Sequence, residues 1–151
     1  MKTIMVAAPA ALALRAPAFA ADQSRPDLQL TPGAWNLPAT PLQILCTPGY
    51  AATTRHVSRS LNITVYREYA IDPATVASGD HEIDHVVPLE LDGSNAIQNL
   101  WPQDCQSAHR KDALENALRR LVCAGALSLA EAQTAIATDW PAAYDKYVGR
   151  R

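Results

Sequence analysis

Residues 82–103, EIDHVVPLELDGSNAIQNLWPQ, set an acid beside an imidazole within an apolar run. The pair is Asp84-His85, and its immediate neighbours are Ile83 and Val86. An ordinary half-buried strand alternates apolar and polar residues. It does not place two ionisable side chains next to each other within an apolar run. The pair is therefore either an accident of a hairpin edge or part of a chemical site.

The same stretch predicts a β-hairpin. Residues 81–91 favour a first strand, the Asp-Gly pair at residues 92–93 is a strong turn signal, and the chain returns over residues 97–101. Pro88 and Pro102 cannot donate ladder hydrogen bonds, which predicts irregular or edge strands. We therefore expect a small sheet of two antiparallel strands.

Helices are expected on both sides of the hairpin. Residues 58–69 carry apolar side chains at helical spacing, and so do residues 108–123, with Ser107 as the cap of that helix. Two shorter helices are predicted over residues 128–137 and 140–147. The predicted fold class is α+β, because there is too little sheet for a doubly wound fold.

The N-terminal segment differs in composition from the rest of the chain. Residues 1–20 contain Lys2, an apolar stretch and a final Ala-Phe-Ala, which is typical of a secretory signal peptide, although Pro9 and Arg15 interrupt it. The stretch is too short and too broken for a membrane span. We expect a periplasmic or secreted protein without a membrane span, and a monomer.

Two further regions follow the predicted signal peptide. Residues 21–43 contain four prolines and no usable periodicity, which predicts a proline-rich extended arm or linker, anchored on the domain by Trp35. The folded domain is then expected over residues 44–151.

The charge balance argues against a polyanionic partner. The whole chain has 13 Lys and Arg against 15 Asp and Glu, a formal net charge of −2. Residues 1–20 hold two cations and no acid, so their removal makes the charge −4. Nucleic-acid binding depends on neutralising phosphates, and an acidic chain achieves it only if its cations cluster or its carboxylates hold a divalent metal.

The chain has three cysteines, Cys46, Cys105 and Cys123, and no C-x-x-C pair, which excludes a four-cysteine zinc site. In an exported chain two of the three are expected to pair, whereas a cytosolic chain would keep all three reduced. We expect Cys46 with Cys123, because one begins the folded domain and the other ends a predicted helix. Spacing alone does not fix this connectivity.

Four polar residues are candidates for a common site: Asp84, His85, Asn99 and His109. A hairpin brings its two strands together, and a helix packed on it adds a third wall. A carboxylate and an imidazole suffice as protein ligands for a hard divalent ion that keeps several waters. A second imidazole, oriented by an amide, can take a proton from water.

These residues resemble the motifs of the HNH endonuclease family, which has D-H-x-x-P, a glycine turn, N-L and a closing H-x-x-K or similar. The likeness is carried by Asp84-His85, Pro88, Gly93-Ser94-Asn95, Asn99-Leu100 and His109. More narrowly, residues 44–147 resemble small bacterial HNH proteins that are often exported, through CTPGY, EIDHVVPLEL, NLWPQ, KDALEN and LVCAG.

The resemblance implies a ββα-metal finger, a hairpin followed by a helix, with a role for each motif residue. His85 would be the general base, and Asn99 would orient it through its backbone or amide. Asp84 and His109 would bind one divalent ion. Mg²⁺ is the expected ion, and Mn²⁺, Ca²⁺, Ni²⁺ or Zn²⁺ are the alternatives. Asn116 is the substitute ligand if His109 points away.

Arg110 and Lys111 would then lie near the scissile phosphate of the substrate. The alternative for both is ordinary solvation of a helix face, with ion pairs to acids on the same helix. The resemblance implies hydrolysis of phosphodiester bonds with low sequence specificity. DNA is the expected substrate, and RNA is the alternative.

Two other interpretations compete with a nuclease. One is a non-catalytic exported module that binds nucleic acid or protein on the same scaffold, which net acidity favours. The other is a zinc-stabilised domain using His85, His109 and Cys105, for which an acidic fourth ligand would be unusual.

Overall fold

The computed structural model describes residues 24–149, so the predicted signal peptide lies outside the described residues. The described chain has the mixed α+β content that the sequence predicts, with one two-stranded sheet. Its elements are α1 (Leu42–Leu45), α2 (Tyr50–Thr54), α3 (Arg59–Glu68), β1 (His81–His85), β2 (Leu100–Asp104), α4 (Cys105–Cys123) and α5 (Leu129–Tyr147), with short 3₁₀ turns at Leu89–Leu91 and Ile97–Asn99. Among these described helices, none combines the length and apolarity that crossing a membrane requires.

The hairpin is present, but its strands are shorter than predicted. β1 pairs antiparallel with β2 and ends at His85, which lies opposite Leu100. The predicted two-residue turn at Asp92-Gly93 is wrong, because the whole of residues 86–99 connects the strands. The apolar residues of this connection leave the sheet and enter the core, since burial of their side chains outweighs strand propensity.

Gly93 is required by close packing within the connection. Its N–H donates to the Pro88 carbonyl at 3.0 Å, and a Cβ at this position would lie only 1.8 Å from the Val87 carbonyl oxygen. Any side chain here would therefore push the two halves of the connection apart. The glycine serves a folded-back connection rather than a tight hairpin turn.

Helix α4 starts three residues earlier than predicted. Its cap is Asp104, whose carboxylate accepts a hydrogen bond from the Ser107 N–H at 2.8 Å. Ser107, the predicted cap, therefore lies in the first turn. An aspartate satisfies the free N–H groups of a helix start as well as a serine does, and its charge also suits the helix dipole.

The two C-terminal helices predicted from the sequence are joined as α5. The capping box of Ser128 and Glu131 opens the helix as predicted. Asp139 interrupts it with non-helical angles (φ −159°, ψ 87°) just before Pro141. Asp139 Oδ1 accepts from the Ala142 N–H at 3.1 Å, so this residue caps the second half of the helix.

The connection between the strands lies between two apolar clusters. One cluster joins it to α4 and α5, through Val87, Leu91, Leu114, Leu118, Ile136 and Trp140. The other joins it to α3 and the sheet, through Val65, Tyr69, Val86, Leu100 and Trp101. Adjacent residues Val86 and Val87 thus face opposite clusters, which fixes the chain directly after His85.

The described part of the proline-rich arm packs on the domain instead of extending away as a linker. The Gly33 N–H donates to the Gln98 carbonyl at 3.1 Å, and Trp35 forms an isolated β-bridge with Gly93. The side chain of Trp35 is 38% exposed, so its backbone is the main anchor. Residues 24–43 therefore belong to the fold.

The predicted disulfide between Cys46 and Cys123 is confirmed, and Cys105 is a free thiol. The bond joins the residue after α1 to the last residue of α4. Its partners are 77 residues apart, so it removes a large loop entropy from the unfolded chain.

We predict that Cys46→Ser lowers the free energy of unfolding by about 4 kcal/mol, because the unfolded chain regains the freedom of that loop. Urea denaturation with and without reductant measures the effect. Cys105→Ser is the matched control and should keep the full stabilisation by the disulfide. Equal stability of reduced and oxidised protein would contradict the prediction.

Candidate functional site

An open cleft of about 450 Å³ lies beside the end of β1, the connection and the middle of α4. Its walls include the predicted pair Asp84 and His85. Five carboxylates line it: Glu82, Asp84, Glu90, Asp112 and Glu115. Arg55 is the one arginine on its walls in the described chain. The cleft is therefore strongly acidic and rich in oxygen donors.

The imidazole of His85 is held in one tautomer by Asn95. The Asn95 amide is itself oriented by the backbone, since its Nδ2 donates to the Thr54 carbonyl at 2.8 Å and its Oδ1 accepts from the His56 N–H at 3.3 Å. The same Oδ1 lies 3.1 Å from His85 Nε2. An amide oxygen only accepts, so Nε2 carries the proton and Nδ1 holds the lone pair.

The Nδ1 atom of His85 is buried and has no hydrogen-bond partner within residues 24–149. Burial lowers the pKa of this histidine below its ordinary value of 6.5, against the opposing effects of the Asn95 hydrogen bond and the charge of Asp84. At neutral pH the ring is therefore uncharged. An uncharged ring with an unused lone pair can accept a proton from water.

Lys111 is buried beneath the cleft as a counter-ion. Its Nζ donates to Asp84 Oδ2 at 2.6 Å, to Glu115 Oε1 at 2.5 Å and to the His85 carbonyl at 2.6 Å. Burial alone would lower the pKa of this ammonium, but the two carboxylates outweigh burial and raise it. Its three protons are all used, so the structure does not present Lys111 to a substrate phosphate.

Two carboxyl groups of the cleft, Glu115 and Glu82, have a raised pKa. Burial raises the pKa of Glu115 to about 7, although Lys111 opposes the shift. Burial also raises the pKa of Glu82, and the charges of Asp84 and Asp112 raise it further. Carboxyl groups that are crowded together in this way favour the binding of a cation.

The Asn99 side chain supports the connection and does not touch the imidazole. Its Oδ1 accepts from the N–H groups of Val87 (2.9 Å) and Ala34 (3.1 Å). Its Nδ2 donates to the carbonyls of Val87 (2.9 Å) and Ser94 (2.8 Å). Its own carbonyl accepts from the N–H of Val86, the residue after the predicted base, at 2.8 Å. Asn99 thus acts on the backbone beside His85, while Asn95 holds the ring.

His109 and Arg110 are not brought to the cleft. His109 is exposed near the start of α4, whereas the cleft lies beside residues 112–116. The Arg110 guanidinium lies 4.7 Å from the centre of the Tyr144 ring and 3.9 Å from Asp145, so it faces α5. His109 shares a helix face with Asp112 and Asn116 but lies about one turn nearer to the start of α4 than Asp112.

Asn116, the substitute ligand, does line the cleft. Its Nδ2 donates to the Asp112 carbonyl at 2.9 Å, which leaves Oδ1 as its free acceptor within the described chain. Asp112 and Asn116 are one helical turn apart, so this pair can be found from helical spacing once one member is known. Asn95 gives no such signal, because asparagine after Gly-Ser is common in turns.

The oxygen donors of the cleft are of the chemical kind that a hard divalent ion accepts. No group of three or more His, Cys, Asp or Glu in residues 24–149 is arranged as a metal site, and the proposed zinc ligands His85, His109 and Cys105 are not gathered. In the described chain Asp84 Oδ1 has no hydrogen bond, and Asn116 offers an amide oxygen. One carboxylate, one amide oxygen and water are ligands that Mg²⁺ accepts.

Comparison with protein family models, with curated proteins and with solved structures finds no match to this chain.

We predict that Asn99→Ala lowers the free energy of unfolding by about 3–5 kcal/mol, because it leaves buried backbone groups of the connection without partners. Urea denaturation provides the measurement. Gln98→Ala, at the exposed neighbouring position, should change stability by less than about 0.5 kcal/mol. Similar losses in the two variants would show that the amide network is unimportant.

We predict that Asn95→Asp raises the pKa of His85 by about one unit or more, because a carboxylate at Nε2 favours the charged ring. An NMR titration of the imidazole measures this pKa and also reports the Nε2-protonated tautomer in the parent protein. Asn62→Asp adds the same charge on α3, outside the cleft walls, and should leave His85 unchanged. A His85 pKa that does not move in Asn95→Asp would refute the assigned contact.

Proposed function

We propose that this chain is a metal-dependent endonuclease of the HNH type that hydrolyses phosphodiester bonds with low sequence specificity. DNA is the proposed substrate, and RNA is the alternative. The observation that carries the proposal is the uncharged His85, held by Asn95 at one nitrogen and unpartnered at the other, on the wall of an acidic cleft. The order β1, β2, α4 along the chain agrees with the ββα finger expected from the motifs, and residues of β1 and α4 line the cleft.

His85 acts as the general base in this proposal. Nδ1 takes a proton from a water molecule, whose oxygen attacks phosphorus as the bond to the leaving oxygen breaks and that oxygen gains a proton from solvent. Nδ1 is covered in the structure, so a small side-chain displacement must admit the water. Asn95 and Asp84 stabilise the ring once it is charged, because the Nε2–H bond strengthens and the carboxylate lies near.

Asp84 and Asn116 would hold the ion, with Asp112 beside them. A bound divalent ion stabilises the negative charge that develops on the phosphoryl and leaving oxygens. Mg²⁺ is the first choice for oxygen ligands of this kind, and Mn²⁺, Ca²⁺, Ni²⁺ and Zn²⁺ are the alternatives to test. The disulfide is compatible with an oxidising compartment, which supports a periplasmic or secreted location.

We predict that the protein without residues 1–20 cuts plasmid DNA in Mg²⁺ or Mn²⁺, that chelator stops it, and that His85→Ala slows it by about 10²–10⁴-fold. The rate of loss of supercoiled plasmid on a gel is the readout. His56→Ala removes an exposed imidazole and should cut at the parental rate. The proposal fails if no metal supports cutting of DNA or RNA, or if cutting survives chelator and His85→Ala.

We predict that Asn116→Ala raises the metal concentration for half-maximal cutting by about 10-fold or more, because it removes a ligand oxygen. His109→Ala is the matched comparison on the same helix and should shift that concentration by less than about twofold, since His109 lies outside the cleft. The reverse ranking would restore His109 as the second ligand.

A further inference from the structure

We infer that Arg55 binds the substrate phosphate, and that Asn95 fixes its place relative to His85. This inference rests on the proposed nuclease function and names the group that receives the polyanion. It also addresses how a strongly acidic cleft accepts a phosphodiester.

Arg55 differs from the other charged residues of the cleft because its side chain is cationic. The described walls carry five carboxylates, which repel a phosphate, and Arg55 is the one cationic side chain among them. It is exposed, and no hydrogen bond or ion pair from the described residues reaches its guanidinium. Its donors are therefore available for two phosphate oxygens at once, the geometry that arginine prefers.

The other nearby cations are already engaged. Lys111 is buried and donates to three oxygens. Arg110 packs on aromatic rings of α5, and Arg119 donates to the Cys46 carbonyl at 3.0 Å. None of the three lines the cleft. Arg55 is thus the guanidinium that a phosphate would meet on entering.

The position of Arg55 is tied to the proposed base. Asn95 binds the peptide groups on both sides of this residue, at the Thr54 carbonyl and the His56 N–H. The Arg55 N–H itself donates to Ala51 at 3.1 Å as α2 ends. Since Asn95 also holds His85 Nε2, one amide anchors both the imidazole and the backbone that carries the guanidinium. The backbone from which Arg55 extends is thereby held in place relative to the imidazole of His85.

Binding can be measured apart from cutting by using His85→Ala as the parent protein. A fluorescein-labelled 16-mer DNA duplex in Mg²⁺ is titrated with this parent, with Arg55→Gln and with Arg120→Gln in the same background, and anisotropy gives Kd. We expect Arg55→Gln to raise Kd by about 10-fold or more and to reduce the salt slope by about one phosphate contact. Arg120→Gln removes an exposed charge of α4 outside the cleft, and its Kd should stay within about twofold of the parent.

Equal weakening by the two arginine variants, or no binding by the parent, would overturn the role of Arg55.

In the cutting assay with His85 present, Arg55→Gln should raise KM more than it lowers kcat, and Arg55→Lys should recover part of the loss. If Arg55 governs Kd but the protein never cuts, the nuclease proposal fails and the phosphate site stands. If the protein cuts and Arg55→Gln matches Arg120→Gln in KM, the phosphate site fails and the nuclease stands.

Discussion

The amide of Asn99 is the constraint on which the rest of the site depends. It binds both backbone groups of Val87 and the carbonyl of Ser94, so it closes residues 86–99 into one rigid unit. That unit carries Asn95 on its outer side and begins immediately after His85. A buried amide with every hydrogen bond satisfied specifies a single backbone arrangement, because each alternative would leave polar groups unpaired.

The charged side chains determine which ligands the cleft can accept. The Lys111 ammonium is held by the carboxylates of Asp84 and Glu115 and by the His85 carbonyl, directly beside the imidazole of His85. The remaining acids keep the cleft negative, so a phosphate is accepted only with the help of cations. A metal ion at Asp84 and the guanidinium of Arg55 would supply that help, which would reconcile an acidic chain with the proposed polyanionic substrate.

The sequence was sufficient for the features that have strong local signals. The capping box at Ser128, the amphipathic helices and the order of strands and helix could all be predicted, because each is set by residues close together in the chain. The shape of residues 86–99 could not, since Asp-Gly normally marks a two-residue turn and only long-range packing shows otherwise. The place of His109 could not be predicted either: Asp104 rather than Ser107 caps α4, and His109 lies about one turn before Asp112 on the same helix face, short of the residues that line the cleft.

The packed arm also decides where an autonomous domain can begin. Proline content suggests a boundary at residue 44, but a fragment starting there would lack the Ala34 N–H that binds Asn99 and the Thr40 N–H that binds the buried Asp92 carboxylate at 2.8 Å. It would also uncover Val86 and Val87, against which Gly33 packs. The shortest stable fragment therefore includes the arm, and proteolysis between residues 33 and 40 would loosen the backbone beside His85 without cutting the chain at a residue that lines the cleft.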